Sequence, residues 1–85
     1  MPVVFRDSGF RYFFYSNEGA PREPCHIHVE GGGKDAKVWL EPEGSLAESY
    51  GFNSVELARI MRVVSERRDL IKRAWDEHFG NERPL

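Results

Sequence analysis

Cysteine is nearly missing from this 85-residue chain, and the lone Cys25 can form no internal disulfide. Long apolar runs are missing as well: no stretch approaches the roughly 20 residues that a membrane-spanning helix needs. The first thirty residues hold no basic segment leading into an apolar one, as a secretory signal would. A cytoplasmic protein with no membrane association is the expectation. Nor is there an excess of charge, since 12 Lys and Arg against 14 Asp and Glu leave a formal charge of -2. The general attraction of a strongly basic domain to nucleic-acid phosphates is therefore absent, and any nucleic-acid contact would be a local patch.

What the chain does have is aromatic residues, 13% of the total within a hydrophobic share of 40%, enough to build one core. A chain this short buries only about 60% of its unfolded surface, so residues 1–85 are expected to form a single domain.

Punctuation divides the sequence near residue 50. Before it, short apolar segments alternate with Gly and Pro: VVF at 3–5, GFRYFFYS at 9–16, HIHVE at 26–30 and AKVWLE at 36–41 read as strands. NEGAPREP at 17–24 reads as a loop and GGGKD as a turn, after which the last strand returns antiparallel. GSLAESYGF at 44–52 has no clear period and reads as irregular. From 54 to 79 no Gly or Pro intervenes. Leu57, Ile60, Met61, Val64, Ile71, Trp75 and Phe79 share one arc at 100° per residue, with Arg59, Arg62, Glu66, Asp69 and Arg73 opposite. Asn53 or Ser54 is the candidate N-cap, and Gly80 and Pro84 mark the end. The expected fold is α+β: a small antiparallel sheet of three to four strands with one long C-terminal amphipathic helix packed on one face. A break in that helix would cost least around Ser65 to Arg68.

Because side chains alternate along a strand, the sheet can be sorted into faces before its strand order is known. Phe10, Tyr12, Phe14, Ile27, Val29, Ala36, Val38 and Leu40 fall on one apolar face. Arg11, Phe13, Tyr15, His26, His28, Glu30, Lys37, Trp39 and Glu41 fall on the other. One helix covers one face, so the second is left to solvent or to a partner. Two readings of it stand: aromatic cross-strand pairs that stabilise the sheet, and a docking surface.

The doublet CHIHV at 25–29 invites chemistry. His26 and His28 point the same way and could share a metal ion, but a site needs three or four ligands. Cys25 faces away and His78 lies on the core-side edge of the helix, so ligands from Glu30, Glu41 or a second subunit would be required. No metal and no cofactor are expected. The two histidines could instead act as acid and base on a phosphodiester, with Arg11 or Lys37 steadying the developing charge. That would make the chain a ribonuclease-like toxin. The basic residues of the helix, at 59, 62, 67, 68, 72 and 73, leave a nucleic-acid-binding regulator as a third reading, although i,i+4 pairs such as Arg62 with Glu66 suit a solvated face. Arg68, inside the apolar arc, is a candidate partner for Glu18, Glu23 or Glu30.

The segments GFRYFFYSNEG, PREPCHIHV, AKVWLEP, YGFNSVEL and RAWDEHFG, in that order, resemble the small bacterial proteins grouped as Domain of Unknown Function 4160, from about Val4 to Gly80. The matching motif positions are Phe14, Ser16, Glu18, Pro24, His26, His28, Trp39, Leu40, Gly51, Phe52, Glu56, Leu57 and Trp75. Cys25 stands where the family's PPHxHV motif has proline, which argues against a family role for it as a metal ligand. The resemblance implies a single α+β domain, often encoded beside another small domain and suspected of belonging to toxin–antitoxin-like or other regulatory operons. The leading expectation is thus an interaction module, not an enzyme, that docks a protein partner or a second copy. Phe13, Tyr15 and Trp39 would be its apolar anchors, with Arg11, His26 and His28 as polar contacts at the rim.

Overall fold

The computed structural model describes residues 3–15, 24–41 and 44–78. Five strands, β1 (Val3–Asp7), β2 (Phe10–Phe13), β3 (His26–Gly31), β4 (Lys34–Trp39) and β5 (Ser45–Tyr50), precede two helices, α1 (Ser54–Glu66) and α2 (Arg68–His78). The strands form one antiparallel meander in the order β1-β2-β3-β4-β5.

Two tight hairpins set its register. Ser8 and Gly9 (φ 55° and 84°) join β1 to β2, and Gly32 and Gly33 (φ 59° and 78°) join β3 to β4. Two successive positive φ angles match the right-handed twist of the strands, which is why two glycines serve the second turn. Gly31 is small for a different reason: a Cβ there would come within 2.6 Å of the Phe10 ring and 3.1 Å of the Gly9 carbonyl oxygen.

The sheet exceeds the three to four strands expected, because 44–52 is not irregular: its residues 45–50 form β5. β5 pairs with β4 from Asp35↔Tyr50 to Trp39↔Ser45, with a register shift at Ala47 that spoils the two-residue alternation. Nearly all of β5 is exposed, so no apolar stripe betrays it. The single long helix is also corrected to two. Arg67 (φ -109°, ψ 22°) separates them, within the stretch Ser65 to Arg68 where a break would cost least. The hydrogen-bond ladder nonetheless continues through the break, from Arg67 N–H to Val63 O and from Ile71 N–H to Arg67 O, both 2.9 Å. The loop 17–23 and the expected helix end at Phe79, Gly80 and Pro84 lie outside the described residues.

Asn53 is the N-cap. Its side chain accepts from the Glu56 N–H at 2.8 Å while Glu56 accepts from the Asn53 N–H at 3.0 Å, a reciprocal box that satisfies two donors otherwise orphaned at a helix start. Ion pairs then tie the helices to the sheet: Lys34–Glu56 at 2.8 Å, Arg59–Asp7 at 3.1 Å and Lys72–Glu41 at 3.1 Å. Between the layers lies the core, with Tyr12, Phe14, Ile27, Val29, Ala36, Val38 and Leu40 from the sheet side and Ile60, Val63, Val64, Ile71 and Trp75 from the helices. Burying each large side chain there contributes about 1.5–3 kcal/mol. This is the apolar face sorted from the sequence, with Phe10 half-buried at its margin.

Candidate functional site

Strand register alone places the residues of the face turned away from the core. Arg6, Arg11, Glu30, Asp35 and Tyr50 lie opposite one another in one row across all five strands. Val3, Phe13, His28, Lys37 and Glu48 form the next row, and His26, Trp39 and Ser45 the one after. Tyr15, just beyond β2, adds its ring beside His28, with centroids 4.6 Å apart.

The sequence candidates Arg11, Phe13, Tyr15, His26, His28 and Trp39 therefore converge. Their rings touch in series: Tyr15 meets Phe13 at 5.2 Å, Phe13 meets His28 at 5.7 Å, His28 meets His26 at 5.1 Å and His26 meets Trp39 at 5.2 Å. Two cations lie over the rings, the Arg11 guanidinium 5.4 Å from Phe13 and the Lys37 ammonium 4.3 Å from Trp39. Arg11 also pairs with Glu30.

Within this cluster exposure is uneven. Phe13 and His26 are 2% and 0% exposed, although neither belongs to the main core cluster. His26 also reaches the helix layer, its ring 5.0 Å from Trp75, which stands edge-on to Phe14 at 5.2 Å. Trp75 thus joins the two sides of the sheet, a link that face-sorting cannot show because it assigns each strand residue to one side only. The surface itself is presented by Tyr15, 41% exposed, and by the half-buried His28, Lys37 and Trp39. Sequence reasoning missed the outer members of the row: Tyr50 because β5 was not assigned, Asp35 because GGGKD was read as a turn, and Arg6 because the first strand was read as ending at Phe5. Tyr50 is 77% exposed.

His26 Nδ1 lies 3.0 Å from the Pro24 carbonyl oxygen, and since a carbonyl only accepts, that nitrogen carries the proton. A buried imidazole held in this way is poorly placed to exchange protons with a phosphodiester, which leaves His28 as the accessible member of the pair. Among the described residues no group of three or more His, Cys, Asp or Glu side chains stands close enough to hold a metal ion. Cys25 is buried in the core, where desolvation pushes its thiol up to about 12 and suppresses the reactive thiolate. His78 packs against Phe14 at 6.2 Å. Of the basic residues of the helices, Arg59 is bound to Asp7, Lys72 to Glu41, and Arg67 lies 4.6 Å over Phe5, so these three are already engaged within the fold. Arg68 does not meet Glu30, whose partner is Arg11, and feels Glu41 instead; Glu18 and Glu23 lie outside the described residues.

Among the described residues, concavities lie against the helices. One, of about 430 Å³, runs along Ser54, Val55, Ala58, Arg59 and Arg62, and another, of about 170 Å³, sits between Leu40, Gly44, Met61, Val64, Ser65 and Arg68. No helix among the described residues is long and apolar enough to cross a membrane.

A five-stranded antiparallel meander beneath two helices, with an aromatic and histidine surface on its far side, defines a small two-layer α+β domain. The chain belongs to the family described as Domain of unknown function (DUF4160), whose model matches residues 9–76, from the first hairpin through most of α2. No curated protein and no solved structure matches it.

Proposed function

We propose that the chain is an interaction module that docks a macromolecular partner through the open sheet face. The observation that carries this reading is the ring series Tyr15–Phe13–His28–His26–Trp39, built outside the core cluster, in touch with the helices where His26 meets Trp75, and flanked by cations. Phe13 and His26 form a buried floor, and Tyr15 and Trp39, in ring contact with it, are the anchors. Rigid amphipathic rings bury much area at little entropic cost, which is why they dominate binding energy at interfaces. A cytoplasmic component of a small regulatory operon, the setting that the family resemblance suggests, needs such a surface and no active site.

The acid/base reading is disfavoured by the burial of His26, and the nucleic-acid reading by the engagement of Arg59, Arg67 and Lys72. Native mass spectrometry of the gently purified chain, compared with Trp39→Ala and Tyr15→Ala, tests the docking role. Each substitution is expected to weaken the assembled species by about 2 kcal/mol, with an unchanged circular dichroism spectrum. Assembly that ignores both substitutions would place the interface elsewhere.

A further inference from the structure

The row at the hairpin end of the open face is electrically lopsided. Arg6 and Arg11 lie on β1 and β2, Glu30 is at the centre on β3, and Asp35 lies on β4 beside Tyr50 on β5, with Glu48 in the next row. Arg11 and Glu30 satisfy each other. Arg6, Asp35 and Glu48 are exposed and make no ion pair among the described residues. One edge of the face therefore ends in an unspent cation and the other in unspent carboxylates.

A partner of a single sign would fit half of such a surface and be repelled by the other half. A second copy fits all of it, provided that the copies are related by the correct two-fold axis. The geometry points to a homodimer in which two open faces pack together about an axis running along β3. This rests on the docking reading above and names its partner. Rotation by 180° about that line holds each row against itself and exchanges the sheet edges, so β1 and β2 of one copy lie over β5 and β4 of the other. Arg6 then comes to Tyr50 and Glu48 of the second copy, Arg11 to its Asp35, and Trp39 to its Tyr15. Rotation about the perpendicular in-plane axis would instead lay β1 over β1 and turn the rows end for end, so the Arg6 and Arg11 edge of one copy would not face the Asp35 and Glu48 edge of the other. Sheets packed face to face stand about 10 Å apart, a gap that long Arg and Tyr side chains fill. Glu30 meets its own equivalent on the axis, where each carboxylate is already neutralised by Arg11 of the same chain.

Sedimentation of the full chain over a range of concentrations, at low and high salt, tests this. The wild type should dimerise, and added salt should weaken the dimer. A variant with both edge arginines reversed, Arg6→Glu with Arg11→Glu, and one with both edge carboxylates reversed, Asp35→Lys with Glu48→Lys, should each lose self-association by at least about 10-fold. Mixed, the two variants should form a heterodimer, which a merely unfolded variant could not do. A wild type that stays monomeric at every concentration would overturn the homodimer, while loss of some other complex in Trp39→Ala would leave the docking role standing. Dimers that ignore both charge reversals and Trp39→Ala would overturn the homodimer and the docking role together.

Discussion

The two faces of this sheet are made by alternate residues of the same strands, and they differ in kind. On the helix side, Tyr12, Ile27, Val29, Ala36 and Val38 are simply apolar, and any close-packed apolar layer would cover them. On the other side, Phe13, His26, His28 and Trp39 hold one another through ring contacts and cations. The first face is stabilised by what the chain itself places on it. The second has two fully buried members yet keeps Tyr15 and Trp39 at the surface, an arrangement that suits stability and recognition together.

Substitutions should separate the faces. The largest loss is expected for Trp75→Ala, which removes the ring that touches both Phe14 and His26. Urea unfolding should show a loss of about 3–5 kcal/mol. Phe13→Ala comes next at about 3 kcal/mol, as for a core position, whereas a residue on an ordinary solvated face would change stability by about 0.5 kcal/mol or less. A Phe13→Ala effect in the second range would mean that the open face is only a surface.

Tyr12→Phe is a smaller change of opposite sign. Among the described residues the Tyr12 hydroxyl is buried without a hydrogen-bond partner, so deleting it should stabilise the fold by about 1 kcal/mol. Burial, aided by the nearby Asp7 carboxylate, pushes this phenol from 10.0 up to about 12. The folded state therefore favours the protonated phenol: that contribution is intact below 10 and disappears as pH rises through 12. Thermal melts across that window should fall less steeply for Tyr12→Phe than for the wild type.

Asp7→Asn should have the smallest effect, since its bond to Arg59 lies near the surface. The Arg59 guanidinium holds the Asp7 carboxyl below its ordinary 3.8. The stabilisation is present above that value and lost as pH falls below it, so wild type and variant should converge in acid.

The fold was legible where one residue type repeats at one period. Alternation in β2, β3 and β4 separated the faces, and the arc from Leu57 to Trp75 found the helical layer. β5 was hidden because an edge strand with little to bury needs no apolar stripe, and Ala47 interrupts its alternation. The helix break at Arg67 was legible only as a weak stretch, because it sits inside a continuing hydrogen-bond ladder. For the site, the membership of the ring series could be read from alternation, but the sinking of Phe13 and His26 could not. Their burial depends on contacts between strands and, for His26, on Trp75 arriving from a helix far along the chain.

The docking role is tested most directly by amide NMR spectra of the full chain recorded as concentration, or an identified partner, is increased. Shifts confined to Arg11, Phe13, His28, Lys37 and Trp39, with the outer residues Val55, Ala58 and Arg62 of α1 unmoved, are the result expected of an interface on the open sheet face. Shifts that gather on α1 and leave those strand residues untouched would contradict it.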